Sequence, residues 1–110
     1  MNIQIFGKSK CFDTKKAERY FKERRVKFQA IDLLKYGISK GELQSVKSAV
    51  GLDALVNWEH PDAALLKYLA YDGDKFEKLL EDPRLLCTPI VRNGKAATVG
   101  FQPDVWKNWE

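Results

Sequence analysis

The sequence predicts an α/β domain with a four-stranded mixed sheet, and two patterns support this prediction. Near the N-terminus, a strand-like segment, an amphipathic helix and a second strand-like segment follow one another closely, so the two strands should pair in parallel through a right-handed crossover. Near the C-terminus, two further strand-like segments flank Asn93 and Gly94, the residues preferred in a two-residue hairpin turn. The chain has 110 residues, enough for a single domain over residues 1–110.

The N-terminal unit is defined first by alternation and then by helical spacing. Residues 2–6 alternate polar and apolar side chains before Gly7, which predicts a short strand. Ala17, Tyr20 and Phe21 fall on one face of a helix that runs from about residue 13 to about residue 25. The apolar positions within residues 26–33 predict the second strand.

The middle of the chain is predicted to be helical. Ser39 and Glu42 form a capping box that starts a helix ending at Gly51. Pro61 starts another helix that continues to residue 71, and Pro83 closes a third. The apolar residues assigned to these last two helices are Ala64, Leu65, Tyr68, Leu69, Phe76, Leu79 and Leu80.

The C-terminal unit is predicted to be a hairpin followed by a helix. Residues 89–91 begin one strand of the hairpin and residues 97–99 form the returning strand. Gln102, Pro103 and Asp104 then open a last helix. That helix carries Val105, Trp106 and Trp109.

Composition and motifs argue against several classes of protein. No apolar run approaches the roughly twenty residues of a membrane-spanning helix, so no membrane partner is expected. The N-terminus lacks a signal-peptide pattern, which favours a cytoplasmic protein with reduced cysteines. His60 is the only histidine, and no metal site is predicted because no cluster has metal-ligand spacing. Phosphate loops and nucleotide fingerprints are also absent, so we expect no bound cofactor.

The net charge of +4 is unevenly distributed along the chain. The first helix and the turn before it carry most of the excess, and such a basic face could attract a small oxyanion, the carboxylates of a thiol cofactor or a macromolecule. It could equally be a solvated helix surface. Nucleic acid is not the expected partner. The basic residues are Lys8, Lys10, Lys15, Lys16, Arg19, Lys22, Arg24, Arg25 and Lys27.

Cys11 lies between the first predicted strand and the first turn of the helix. Backbone N–H groups and the helix dipole stabilise negative charge at such a position. The pKa of the Cys11 thiol is therefore expected to lie below its usual value, which makes this sulfur a candidate nucleophile. The alternative is a small side chain that only fills the turn. Charged neighbours that should lower the pKa are Lys8, Lys10, Lys15 and Lys16, and Asp13 should oppose them.

Three other positions accompany this thiol. Thr14 stands where a dithiol enzyme would carry its second cysteine, and its hydroxyl either donates to the thiolate or caps the helix. Cys87 is either a resolving thiol for Cys11 or a small residue packed among apolar neighbours. Pro89 opens a strand, where a cis Thr88–Pro89 bond is plausible although trans is commoner; a cis bond would turn the backbone of Thr88 toward a bound substrate.

The chain resembles the arsenate reductase (ArsC) family, including its Spx-like branch, in three ordered segments: GKSKCFDTKKA, FQAIDLLKYGISKGEL and LLEDPRLLCTPIVRNGKAATVGF. The resemblance extends over nearly the whole chain. It implies a thioredoxin-like (glutaredoxin-like) fold with a helical insertion between the second and third strands. It also implies a nucleophilic cysteine at Cys11 and a cis-proline at Pro89.

The chain also departs from this family at positions that matter for chemistry. Glutathione-dependent arsenate reductases hold the oxyanion with three arginines, and the matching positions here carry Asn57, Thr88 and Phe101. Each missing charge-assisted contact should cost about 1.5 to 3 kcal/mol, so genuine arsenate reduction is not expected. Spx-like regulators often carry a C-x-x-C redox switch, which Thr14 removes.

Two functional hypotheses follow. In the first, the protein is a thiol oxidoreductase in which Cys11, assisted by Thr14, attacks an oxidised small molecule or protein disulfide. Glutathione as co-substrate, or a glutaredoxin, would then resolve the mixed disulfide. The residues predicted to contact the substrate are Lys8, Lys10, Thr88 and Pro89. In the second hypothesis, the protein is an Spx-like binding protein that contacts the transcription machinery through its basic first helix.

Overall fold

The computed structural model describes residues 1–109 and contains a four-stranded mixed sheet. Its strands are Ile3–Gly7 (β1), Phe28–Asp32 (β2), Ile90–Asn93 (β3) and Ala96–Val99 (β4), in the spatial order β2-β1-β3-β4. β1 pairs in parallel with β2 and antiparallel with β3, and β3 pairs antiparallel with β4. The predicted α/β class and mixed sheet are confirmed. Glu110, the last residue of the predicted domain, lies outside the described residues.

Helices pack around this sheet. The α-helices are Phe12–Glu23 (α1), Leu33–Tyr36 (α2), Lys40–Val50 (α3), Leu52–Leu55 (α4), Asp72–Glu81 (α5) and Pro103–Trp106 (α6), and 3₁₀ helices span Pro61–Tyr68, Pro83–Leu85 and Lys107–Trp109. The helices from α2 to the second 3₁₀ helix lie between β2 and β3, which confirms the predicted helical insertion. Among the described residues, no helix is long and apolar enough to cross a membrane.

Alternation along β1 gives the sheet two apolar faces. Ile3 and Ile5 pack on one side with Ala17, Tyr20, Phe21, Val91 and Trp106, which come from α1, β3 and α6. Phe6 packs on the other side against the helical insertion. Phe6 also pairs with Ile90, so the residues that follow β1 and the residues that precede β3 emerge at the same end of the sheet. This pairing places the start of α1 close to the segment before β3.

The capping box at α3 is present as the sequence predicts. Ser39 Oγ accepts from the N–H of Glu42 at 3.2 Å, and Glu42 Oε1 accepts from the N–H of Ser39 at 3.1 Å. These two bonds satisfy N–H groups that the first helical turn leaves without intrahelical partners.

Other local predictions are wrong in instructive ways. β3 continues through Asn93, so Gly94 and Lys95 form the hairpin turn, and Gly94 adopts the positive φ of 61° that the turn requires. Residues 61–68 form a 3₁₀ helix, whose period of three buries Ala63 and Leu66. Leu65 and Tyr68, which were assigned to the apolar face, are 61% and 86% exposed. The short helices α2 and α4 were not predicted.

Candidate functional site

Cys11 is the N-cap residue of α1. Its N–H donates to the carbonyl of Lys8 at 3.0 Å, and its own carbonyl accepts the N–H of Lys15 at 3.3 Å, so the residue joins a tight turn to the helix. Its sulfur lies 3.7 Å from the carbonyl oxygen of Thr88, at the end of the sheet where the chain enters β3. Cys11 is a free thiol in a half-buried position.

Gly7 explains how α1 comes so close to β1. A Cβ added at Gly7 would overlap the side chain of Thr14, with Thr14 Oγ1 only 2.7 Å away, so only glycine allows this contact. Thr14 is buried, and its Oγ1 accepts from the N–H of Lys8 at 3.4 Å. The role of Gly7 was missed from the sequence, where the residue was interpreted only as the end of a strand.

Hydrogen bonding determines the ionisation of Cys11. Partial burial by itself raises the pKa of the thiol, but hydrogen bonds from the side chains of Thr14 and Thr88, and from the backbone N–H groups of Thr14 and Asp13, outweigh burial. The pKa of Cys11 therefore lies below its usual value, in the direction predicted from the sequence. Of the two roles considered for the Thr14 hydroxyl, donation to the sulfur contributes to the lowered pKa of Cys11, and the oxygen also accepts from the N–H of Lys8.

The two lysines before Cys11 differ in their surroundings. Lys8 Nζ donates to the carbonyls of Arg84 at 3.1 Å and Leu86 at 2.8 Å. Burial lowers the pKa of Lys8, while the nearby Cys87, Cys11 and Asp82 oppose that change. Lys10 is exposed at the turn. Lys8, predicted to contact the substrate, thus points its ammonium group at the main chain before β3.

Cys87 directly follows Leu86, whose carbonyl binds the Lys8 ammonium group. Its Sγ donates to the carbonyl of Val56 at 3.3 Å, and its N–H donates to the carbonyl of Leu55 at 2.8 Å. Burial raises the pKa of the Cys87 thiol, although the charge of Lys8 partly offsets this effect. Both cysteines are free thiols, and the side chain of Cys87 is hydrogen-bonded to the helical insertion.

Thr88 and Pro89 complete the site. The peptide bond between them is cis, as the family resemblance implies. Pro89 is buried, and its carbonyl accepts the N–H of Gly100 at 2.8 Å. Cys11, Thr14, Thr88 and Pro89 thus come together at one end of the sheet.

Two partly exposed aromatic side chains, Phe12 and Phe101, lie at the start of α1 and shortly after β4. Phe12, next to the thiol, is 79% exposed. Phe101 follows β4, packs edge-on against Trp106 at 5.5 Å and has Lys16 Nζ 5.8 Å above its ring. From the sequence, Phe101 was identified only as a departure from an arginine position, and Phe12 was missed.

Asn57 and Arg84 form bonds within the protein that differ from those of an oxyanion-binding site. Asn57 binds main chain through its N–H, which donates to Leu85 O at 2.8 Å. Arg84 is ion-paired with Asp82 at 2.7 Å and Asp62 at 3.2 Å.

Within residues 1–109, no group of three or more His, Cys, Asp or Glu side chains could hold a metal ion. His60 caps a 3₁₀ helix, its Nδ1 accepting the N–H of Asp62 at 3.1 Å.

Comparison with known proteins establishes the family. No protein-family model matches the chain. The global transcriptional regulator Spx 2 of Oceanobacillus iheyensis is 30% identical over 112 residues, which cover 94% of this chain and 80% of that protein. This chain belongs to the ArsC/Spx family. The uncharacterized protein YusI of Bacillus subtilis is 24% identical and matches over 99% of both chains.

Solved structures place the ArsC/Spx fold across the whole chain. An arsenate reductase from Vibrio cholerae aligns over 98% of this chain and 97% of that one, with a TM-score of 0.86 and 21% identity. The glutaredoxin-like protein NrdH-redoxin from Escherichia coli aligns over 100% and 96%, with a TM-score of 0.54 and 17% identity. At these identities the likeness concerns the fold alone, and the predicted thioredoxin-like fold is confirmed.

Proposed function

We propose that this protein is a monothiol oxidoreductase with Cys11 as its nucleophile. One observation carries the proposal: Cys11 is a half-buried free thiol at the N-cap of α1, with its sulfur 3.7 Å from the carbonyl oxygen of Thr88. Hydrogen bonding at this position lowers the pKa of the thiol. The thiolate is the nucleophilic form of cysteine, and a lowered pKa increases its fraction at neutral pH. Cys87 has the opposite environment, so the two thiols are not equivalent.

The proposed reaction is thiol–disulfide exchange. The Cys11 thiolate attacks one sulfur of a disulfide substrate, the S–S bond of the substrate breaks, and its other sulfur leaves as a thiolate while Cys11 holds the mixed disulfide. An external thiol such as glutathione then attacks the substrate-derived sulfur of the mixed disulfide. That attack restores the Cys11 thiolate and forms a new disulfide from the external thiol and the bound half of the substrate. A second external thiol then attacks that new disulfide, releases the bound half of the substrate as a thiolate and leaves the two external thiols joined as a disulfide, so two external thiols, or a protein dithiol such as that of a glutaredoxin, supply the two electrons.

The substrate class follows from the side chains at the site. Asn57, Thr88 and Phe101 occupy the positions where the family resemblance places oxyanion-binding arginines, so a disulfide is a better substrate than arsenate. Exposed Phe12 and Phe101 offer apolar contacts to such a substrate, and Lys10 offers a cation. A reducing compartment such as the cytoplasm is part of this proposal, because external thiols must remain reduced there.

The decisive experiment follows both sulfurs separately. The native protein is treated with glutathione disulfide at several pH values, and peptide mass spectrometry reports the modification of each cysteine. Cys11 should be glutathionylated several-fold faster than Cys87 at neutral pH, and reduced glutathione should reverse the reaction. The Cys87→Ser variant is the matched control and should react like the wild type. Equal rates at both cysteines would refute the proposal, and an intramolecular Cys11–Cys87 bridge would replace the monothiol scheme by a dithiol one.

A second candidate function rests on the similarity to a protein named as a global transcriptional regulator. In this proposal the exposed basic residues of α1 bind a protein of the transcription machinery, and charge complementarity would set the affinity. The experiment measures binding of purified RNA polymerase to the wild type and to a Lys15→Glu, Arg19→Glu, Lys22→Glu variant. Binding that the charge reversal abolishes, while Cys11 alkylation is unchanged, would support this function. No binding by the wild type would eliminate it.

A further inference from the structure

The segment before β3 is fixed to the helical insertion along one side. Leu86 forms an isolated antiparallel bridge with Val56. Two main-chain hydrogen bonds flank this bridge, from Cys87 N–H to Leu55 O at 2.8 Å and from Asn57 N–H to Leu85 O at 2.8 Å. The carbonyls of Arg84 and Leu86 take part in neither of these bonds.

The Lys8 ammonium group binds those two carbonyls. Nζ lies 3.1 Å from the oxygen of Arg84 and 2.8 Å from the oxygen of Leu86, which are 76 and 78 residues away along the chain. An ammonium group has three donors, so one lysine satisfies two acceptors here in place of a neighbouring strand. The side chain of Lys8 therefore connects the turn after β1 to the segment that leads to Thr88.

The main chain of Lys8 is bound to the thiol turn at the same time. Its carbonyl accepts the N–H of Cys11 at 3.0 Å, and its N–H donates to Oγ1 of Thr14 at 3.4 Å. One residue thus contacts the nucleophile, the threonine that hydrogen-bonds to it, and the chain two residues before Thr88. Lys8 therefore links the chain that leads to Thr88 with the turn that carries Cys11.

We infer that Lys8 is a positioning residue, which holds the segment before β3 against the thiol turn and so keeps Thr88 in contact with the Cys11 sulfur. This inference rests on the proposed role of Cys11 as nucleophile, and it replaces the direct substrate contact predicted for Lys8. Lys8 acts through Thr88 and need not touch the substrate. The double-mutant cycle and high salt separate this route from the direct attraction between the Lys8 ammonium group and the Cys11 thiolate.

The test compares Lys8→Met with Lys10→Met by the pH profile of Cys11 alkylation with iodoacetamide. Both variants lose one positive charge close to Cys11 in sequence, but Lys10 is exposed and Lys8 binds main chain. Lys8→Met should shift the profile to higher pH and slow alkylation at neutral pH roughly three- to tenfold, while Lys10→Met should change it by less than about twofold. Equal effects of the two substitutions would overturn the inference.

A double-mutant cycle with Thr88→Val identifies the route of the effect. Thr88→Val removes the hydroxyl that lowers the pKa of Cys11 and leaves the carbonyl in place. If Lys8 acts by positioning that hydroxyl, the double variant should alkylate no more slowly than Thr88→Val alone. Additive effects would mean that the charge of Lys8 acts on the sulfur directly, and they would contradict the inference. The slowing by Lys8→Met should also persist at about 1 M salt, where a charge effect is screened.

Two further controls keep the outcomes separable. Circular dichroism and the thermal midpoint establish whether Lys8→Met is folded. If it is not, Lys8→Arg is used to test the inference. Its longer, planar guanidinium keeps the charge but cannot reproduce the same contacts to both carbonyls. Slower alkylation of Lys8→Arg supports positioning, and wild-type kinetics overturn it. If Cys11 of the wild type shows no advantage over Cys87, the proposed oxidoreductase function fails. If Cys11 of the wild type does react faster than Cys87, but the Lys8 variants alkylate like the wild type, that function stands and the present inference fails.

Discussion

Thr14 combines two roles that the sequence alone could not separate. Its hydroxyl oxygen accepts the N–H of Lys8, and its hydroxyl hydrogen-bonds to Cys11. The side chain is buried, so its rotamer is determined by packing against Gly7. A single threonine therefore fixes the turn and stabilises the thiolate, and its effect on reactivity can be measured without removing the thiol.

Replacing Thr14 by valine should slow Cys11 alkylation several-fold at pH 7. A charge-assisted hydrogen bond of about 1.5 kcal/mol would give roughly tenfold, and partial solvation of the sulfur reduces that value. The shape of the side chain is preserved, so packing should change little. The pH profile of alkylation checks the result, and Thr14→Ser, which keeps the hydroxyl, should behave nearly like the wild type. Wild-type kinetics in Thr14→Val would contradict this role.

At the scale of elements, the contact between β1 and α1 determines where the thiol lies. The strand ends at Gly7, the turn follows, and the helix begins at Phe12 with Thr14 packed directly on Gly7. Substitution of a buried glycine at such a close approach adds a methyl group where no space exists, which usually costs about 1 to 3 kcal/mol. The same contact orients Thr14, so stability and thiol chemistry should change together.

Gly7→Ala should therefore lower the free energy of unfolding by about 1 to 3 kcal/mol and shift Cys11 alkylation to higher pH. Urea denaturation and the alkylation profile measure the two effects. Gly41→Ala is the matched control, because Gly41 lies within α3 with open space around its Cα, and it should stabilise the protein by about 0.5 to 1 kcal/mol. If Gly7→Ala were as stable as the wild type, the close approach would have no energetic importance.

A third prediction concerns the capping box of α3. Ser39→Ala removes the oxygen that accepts the N–H of Glu42, and it should lower the free energy of unfolding by about 1 kcal/mol. The urea midpoint should fall with an unchanged slope. Cys11 alkylation should be unaffected, because the hydrogen bonds of the Ser39 side chain and N–H stay within the capping box of α3. A changed alkylation profile would show that the two regions are coupled.

At the scale of the whole molecule, the two thiols give opposite dependences of stability on pH. The pKa of Cys11 is lowered on folding, so its contribution is complete above the pKa of the unfolded thiol and is lost as the pH falls through the folded value. The pKa of Cys87 is raised on folding, so its contribution is complete below the unfolded pKa and is lost as the pH rises through the folded value.

Serine variants should separate these contributions in urea denaturation with a reductant present. From about pH 7 to pH 10, the wild type should gain stability relative to Cys11→Ser. Over the same range it should lose stability relative to Cys87→Ser. Parallel curves for the wild type and both variants would mean that neither thiol changes its ionisation on folding.

Local periodicity predicted those parts of the fold in which one face of an element is buried. Ala17, Tyr20 and Phe21 were identified as the inner face of the first helix, and all three are buried. Leu65 was misassigned because an α-helical period was applied to a 3₁₀ helix. The main-chain contacts of Lys8 could not be predicted for a different reason: its carbonyl partners lie more than 70 residues away, and a lysine in a charged turn gives no local sign of such contacts.

Trp106 is an intrinsic fluorescence probe of the region around α1. Its indole is fully buried, donates from Nε1 to Thr98 Oγ1 at 2.8 Å and lies 5.2 Å from the rings of both Tyr20 and Phe21 on the helix that begins beside the thiol. Trp58 is 37% exposed. With Trp58 and Trp109 replaced by phenylalanine, the remaining fluorescence should be blue-shifted and poorly quenched by acrylamide. A change in that emission when Cys11 forms a mixed disulfide would report movement of α1 in real time.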